Sequence, residues 1–103
     1  MSDVLNYHHL RYFWAVVREG GITRASERLH VSQPAISAQL RELERNLGAR
    51  LYTRSGRSIV LTDVGRLVFQ YAEQIFGIGK ELVEVVTGRS APRPRALSIG
   101  IAD

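Results

Sequence analysis

The chain has no cysteine in its 103 residues. Disulfide scaffolds and thiolate metal sites are therefore excluded, and a reducing compartment is the natural setting. Proline is scarce, at three residues, and two of them, Pro92 and Pro94, fall near the end. The first ninety residues are thus nearly free of the residue that breaks helices. No apolar run approaches the roughly 20 residues a membrane span needs. The opening stretch, Met1–His9, lacks the basic and apolar blocks of a secretory signal. The expectation is a cytoplasmic protein with no membrane partner. Lysine is almost missing: thirteen of the fourteen basic residues are arginine, the exception being Lys80. There is no Gly-rich phosphate loop, and no histidine stands in a recognisable pairing with a nucleophile, so nothing points to an enzyme. His8, His9 and His30 have neither cysteine nor a carboxylate cluster to support them, and no metal or other cofactor is expected.

What is present is a positive charge laid out unevenly. Residues 1–60 carry nine basic and five acidic side chains, a net of +4. Residues 61–88 carry two basic and four acidic, a net of −2, and residues 89–103 return to +2. The positive field belongs to the first part and the tail. A basic domain attracts polyanions, nucleic acid first among them, and arginine suits bidentate contacts to phosphate and guanine. A GC-rich genome would also favour arginine codons, which is the plain alternative for the ratio.

Four helical patterns follow along the chain, with one hairpin among them. Over 6–19, Leu10, Phe13, Trp14 and Val17 share one helical face, and Gly20-Gly21 stops the run. A short second helix is expected over 23–30, capped by Thr23, with Ala25 and Leu29 on its inner side. The third begins near Ser32, a good N-cap, with Pro34 in the first turn, where its missing N–H costs nothing. Its buried stripe is Ile36, Leu40, Leu43 and Leu47, and Gly48 ends it. Only His30-Val31-Ser32 separates the second and third helices, which is the helix-turn-helix arrangement.

Residues 51–61 change character. Leu51–Arg54 and Ser58–Leu61 are rich in β-formers around the turn dipeptide Ser55-Gly56, a two-stranded hairpin with Arg54 and Arg57 at its tip. Thr62 and Asp63 then open a fourth helix. Its apolar residues Val64, Val68, Tyr71, Ile75, Ile78, Leu82 and Val85 follow at steps of three and four, an a/d pattern over three heptads. About 25 residues of helix span roughly 37 Å, more than a small helix-turn-helix core can cover, so a second copy of the same helix is the simplest partner. Gly77 and Gly79 either allow close approach of another helix or mark a bend.

The expected fold class is mainly α: a winged helix-turn-helix with a two-stranded wing and a long C-terminal dimerisation helix. The expected organisation is a DNA-binding domain over 1–62, a linker helix over 63–88, a proline- and arginine-rich hinge over 89–96, and the first strand of a truncated domain over 97–103. A disordered tail is the alternative for that last stretch.

With its apolar stripe buried, the third helix presents Gln33, Ser37 and Arg41, spaced by four, on one exposed side. Glutamine pairs with adenine, arginine with guanine, and serine with bases or phosphates. Small neighbours, Ala35 and Ala38, let the helix approach a groove floor. The plain alternative is an ordinary solvated face; the basic hairpin beside it and the net charge favour recognition. Arg54 and Arg57 suit the phosphates or a narrow minor groove, the alternative being solubility charge on a loop tip.

These residues carry a family resemblance. Ala25–Leu29, the run His30–Glu44, Leu47-Gly48, Leu51–Arg54, Gly56-Arg57 and Leu61–Gly65 together resemble the LysR-type transcriptional regulators, over about 6–101. The opening Asn6–Trp14 is similar to the subgroup that contains the sodium/proton antiporter regulator. The resemblance implies a recognition helix that starts at Ser32 and presents Gln33, Pro34, Ala35, Ser37 and Ala38 to the major groove of double-stranded DNA. It implies Arg54 and Arg57 on the wing, near the minor groove and backbone. It also implies an antiparallel homodimer through the fourth helix, with Val68, Tyr71, Ile75, Ile78, Leu82 and Val85 in the seam. A tetramer for the full-length protein and a small-molecule inducer for an absent effector-binding domain are further implications. Two departures stand out: Ala38 where many members carry arginine, and Ser26 where alanine is frequent. A hydroxyl at Ser26 can bond to nearby backbone at little cost. The competing function is a protein-interaction module whose long helix is the working surface.

Overall fold

The computed structural model describes residues 5–56 and 58–88. The element order is α1 (Tyr7–Glu19), α2 (Ile22–Leu29), α3 (Gln33–Leu47), β1 (Tyr52–Ser55), β2 (Ser58–Leu61) and α4 (Asp63–Thr87). The two strands pair antiparallel, with Tyr52 opposite Leu61 and Arg54 opposite Ile59. The chain divides after Glu73 into two compact units. Among the described residues, no helix is long and apolar enough to cross a membrane.

Local chemistry sets the helix ends. The Asn6 side chain accepts hydrogen bonds from the backbone N–H of His8 and His9, at 2.8 and 3.1 Å, and so starts α1. Gly20 closes it in the left-handed conformation, φ +94°. Ser32 caps α3 by accepting from the Ala35 N–H at 3.2 Å, and Gly48 ends it at φ +69°. The second helix departs from the sequence expectation. It begins at Ile22, not after a Thr23 cap: the Gly21 carbonyl accepts from the Ala25 N–H, and no side chain caps the end. Burial of Ile22 outweighs the preference for a hydroxyl at the N-cap.

The core of the first unit is built by α1, α2 and α3, with α1 packed on both of the others. Leu10, Phe13, Val16, Ile22, Ala25, Ile36, Leu40 and Leu43 are buried. Each large one of these contributes about 1.5–3 kcal/mol of apolar burial. Val16 takes the place expected for Val17, because a helix packed on two neighbours buries a wider stripe than one row. Leu29 and Leu47 are not fully buried.

The hairpin is fastened at its base. Leu51 is buried, and its N–H donates to a carboxylate oxygen of Glu44 on α3 at 2.8 Å. The Thr62 hydroxyl donates to the Arg50 carbonyl at 2.7 Å and accepts from the Gly65 N–H at 2.9 Å, capping α4 as the sequence suggests. The Thr62 N–H donates to the Leu51 carbonyl at 3.0 Å. There is no space at Gly65: a β-carbon there would stand 1.9 Å from the Leu51 carbonyl oxygen. Bare backbone at this one position lets α4 leave directly from the hairpin.

Candidate nucleic-acid interface

The turn between α2 and α3 is closed by paired bonds between two residues. The Val31 N–H donates to the Ser26 carbonyl at 3.2 Å, and the Ser26 hydroxyl donates to the Val31 carbonyl at 2.6 Å. His30, between them, takes the left-handed conformation at φ 58° and caps α2. This turn fixes the angle at which α3 leaves α2. With Ile36, Leu40 and Leu43 buried beneath it, α3 turns its other side outward. Gln33, Pro34, Ala35 and Arg41 are exposed, while Ser37 and Ala38 are half-buried.

Arg54 lies on β1 and is exposed. An open groove of about 550 Å³ is lined by Gln33, Pro34 and Ser37 of α3, by Arg54 of the hairpin and by Ser26 of α2. The fold thus brings three of the expected recognition residues together with the wing arginine. Ser26 joins them unforeseen as a lining residue. Its only sequence signal was a hydroxyl in place of a frequent alanine. Arg41 lies elsewhere. It lines a separate groove of about 420 Å³ at the C-terminal end of α3, with Glu44, Arg45 and Arg50. Ser32 serves as the α3 cap, and neither Ala35 nor Ala38 lines either groove. Arg57 lies outside the described residues, as do the expected hinge over 89–96 and the strand over 97–103.

The electrostatics tie helix and hairpin together. Tyr52 begins β1 and is buried to 9% exposure. Burial pushes its phenol above the usual tyrosine value, the Glu44 charge adds to this, and Arg54, Arg41 and Arg50 oppose it. The phenol stays neutral, while arginines from both α3 and β1 lie within electrostatic reach of one side chain. The Glu44 side chain is 14% exposed, anchors Leu51, and lies 3.7 Å from the Arg50 guanidinium.

Along α4, Val68, Ile75 and Val85 are half-buried, whereas Tyr71, Ile78 and Leu82 are 58%, 66% and 61% exposed.

Comparison with known proteins bears on this arrangement. The model of the bacterial regulatory helix-turn-helix proteins of the lysR family matches residues 7–66, from the start of α1 into α4. The chain belongs to the lysR family. Among LysR-family relatives, the transcriptional activator protein NhaR of Escherichia coli K12 is 35% identical over 99 residues, 96% of this chain and 33% of its own length. The RuBisCO operon transcriptional regulator of Allochromatium vinosum is 41% identical over 98 residues, 95% of this chain and 32% of its own length. The chain therefore spans about a third of the curated relatives it matches. Among solved structures, the CbnR DNA-binding domain in complex with DNA aligns with TM-score 0.72 at 36% identity, covering 82% of this chain and 97% of that one. The BenM DNA-binding domain on its catB site 1 DNA aligns with TM-score 0.75 at 32% identity, covering 86% and 100%. The winged helix-turn-helix architecture read from the sequence is the one these LysR-family domains share, and the relatives named are transcriptional regulators, not enzymes.

Proposed function

We propose that this chain is the DNA-binding region of a LysR-type transcription regulator. It binds a partly palindromic duplex as a homodimer, with α3 in the major groove and the hairpin at the adjacent minor groove or backbone. One observation carries the reading: Gln33, Pro34 and Ser37 share a groove with Arg54, so base-reading and phosphate-gripping groups face the same space. Similarity to the CbnR and BenM domains solved on DNA supports it. Gln33 and Ser37 read base edges, and Ala35 and Ala38 leave room for thymine methyls. Arg54 and Arg57 grip the backbone alongside, and Arg41 reaches the duplex at the other end of α3. Residues 1–62 are the reader, α4 the linker, 89–96 a hinge, and 97–103 the beginning of an effector-binding domain for a small inducer. The full-length protein is a cytoplasmic tetramer on this reading. Tyr71, Ile78 and Leu82, exposed in one copy, are the centre of the dimer seam, with Val68, Ile75 and Val85 at its edges.

The test is selection of bound sequences from a random duplex pool, followed by titration of two variants. Arg54→Ala should weaken binding to all duplexes and flatten the salt dependence by about 0.9 in slope for each lost phosphate contact. Gln33→Ala should instead relax preference at one base pair, by about 1–3 kcal/mol. Equal losses on selected and random duplexes for Gln33→Ala would remove it from base reading. No enriched sequence, with no shift of any duplex at low salt, would favour the interaction-module reading over the whole proposal.

A further inference from the structure

The described residues include nine arginines, and six of them are engaged within the chain. Arg18 is held by Glu73 at 2.9 Å and Arg45 by Glu42 at 2.7 Å. Arg50 faces Glu44 at 3.7 Å, and Arg28 faces Glu19 at 3.8 Å. Arg66 is held by Asp63, and Arg11 lies over the Trp14 ring, 5.8 Å from its centre. Arg24, Arg41 and Arg54 remain, with no hydrogen bond or ion pair from their guanidiniums to any described residue. They come from three elements of the first unit, α2, α3 and β1. Arg54 and Arg41 border the two grooves beside α3. Arg24 borders neither.

The fold has no use for the Arg24 charge. Arg24 is exposed and stands in the first turn of α2, which holds no acidic residue. A cation there opposes the helix dipole, whose N-terminal end is already positive. Glu27, three residues on, is at a spacing that would offset it, yet the two form no ion pair. Arg28 makes the contrast. It lies one turn later on the same face, in the last turn, where a cation is favoured, and it has Glu19. The Arg24 side chain is nonetheless placed. A β-carbon on Gly20 would stand 3.9 Å from its Cδ and 4.0 Å from its Nη1, so stem and guanidinium rest over the corner between α1 and α2.

An uncompensated guanidinium selects an anion, and on the DNA-binding reading the anion at hand is the duplex backbone. α2 supplies Ser26 to the groove that Gln33, Ser37 and Arg54 line. Arg24 precedes Ser26 by two residues, about 3 Å of helix rise and roughly half a turn. That carries it to the flank of the groove, away from its floor. Base edges are met at the floor, and phosphates at the flank.

We propose that Arg24 is a further phosphate contact of the reader, made from α2. Arg24, Arg41 and Arg54 meet the backbone, while the acid-paired arginines serve the fold. This deepens the DNA-binding reading and rests on it. The contact adds affinity on every sequence and carries no base preference.

The test measures the affinity of the full chain for a selected duplex and a scrambled one over a range of salt, with the urea midpoint of each variant. Arg24→Ala should flatten the slope of log affinity against log salt by about 0.9, as Arg54→Ala does, and weaken both duplexes by the same factor. Its urea midpoint should match or exceed that of the parent chain. Arg24→Lys keeps the charge and should keep the slope. Arg28→Ala, on the same helix but acid-paired, should leave the slope unchanged. Flattening by Arg54→Ala but not by Arg24→Ala overturns the proposal and leaves the DNA reading intact. Equal flattening by Arg28→Ala overturns it too, because pairing would not then sort the arginines. A lower midpoint with an unchanged slope would make Arg24 a residue of the fold, and a loss confined to the selected duplex would make it a base reader; either result sinks the phosphate contact. A parent chain that shifts no duplex at low salt removes the DNA reading itself, and this contact with it.

Discussion

Up to Glu73 the chain builds a buried apolar core, although Val60, Val64, Leu67 and Tyr71 stay 41% to 58% exposed; from Gln74 to Gly88 no residue is buried. Every fully buried hydrophobic residue among those described belongs to the first stretch, from Leu10 to Ala72. In the second, Ile78, Leu82, Val83 and Val86 are between 56% and 74% exposed. The two stretches differ little in kind of residue. They differ in whether the described residues supply a buried core around them. A helix with that much exposed apolar surface is stable in water when something else covers it, and on the proposed reading a second copy does so. The first unit should then fold on its own core, and the exposed apolar face of α4, from Val68 and Tyr71 into the second unit, should assemble.

The strongest way to break that contrast is to spoil the first unit where it has no room. Gly65→Ala sets a methyl group against the Leu51 carbonyl, at a 1.9 Å approach from backbone that no rotamer relieves. We expect about 3 kcal/mol of destabilisation in urea unfolding, at the upper end for overpacking. A loss under 1 kcal/mol would show that α4 shifts freely off the hairpin. Next in size is Ile78→Asp. It puts a charge on the exposed apolar face and should convert dimers to monomers in light scattering, with the urea midpoint of the first unit little changed. An unchanged mass would take Ile78 out of the seam. Loss of both mass and midpoint would mean that the two stretches fold as one.

A smaller effect tests the turn. Ser26→Ala removes the hydroxyl bond to the Val31 carbonyl but keeps the backbone bond beside it. The expected cost is about 1 kcal/mol in stability, with a matching urea midpoint shift. Because the same residue lines the groove with Gln33 and Arg54, duplex affinity should fall by more than the stability loss explains. A fall confined to stability would make Ser26 a fastener of the turn alone.

Much of this was legible in the sequence, and the reasons are local. The caps at Ser32 and Thr62, the glycine stops at Gly20 and Gly48, the hairpin around Ser55-Gly56 and the stripe Ile36, Leu40, Leu43 follow from short-range chemistry, and the structure places them as read. What was not legible is long-range. Glu44 spends its carboxylate on a backbone N–H seven residues away, across a loop, which no side-chain spacing announces. The need for glycine at position 65 shows only once the Leu51 carbonyl is seen beside it. The start of α2 was misread because a good capping residue, Thr23, lay next to an isoleucine that the core needed more. At the interface, face periodicity gathered Gln33, Ser37 and Arg41 into one row, but Arg54 of the hairpin shares a groove with only the first two, and Arg41 opens on another.

The smallest effect concerns Glu73, the last residue of the self-contained stretch. Its carboxylate accepts hydrogen bonds from the Trp14 indole and from Arg18, and these, in that order, hold its pKa below the ordinary glutamate value. A carboxyl lowered on folding adds stability above its unfolded pKa, near 4.3, and that contribution is lost as pH falls through the lower folded value. The side chain is 40% exposed, so the contribution is screened and modest. Glu73→Gln should therefore lie closest to the parent chain in acid and fall behind it once the pH passes the ordinary carboxylate range. The measurement is the difference in urea midpoint between the two chains at a series of pH values. A difference that stays constant from acid to neutral would mean the ionised form of Glu73 does nothing to hold Trp14 and Arg18.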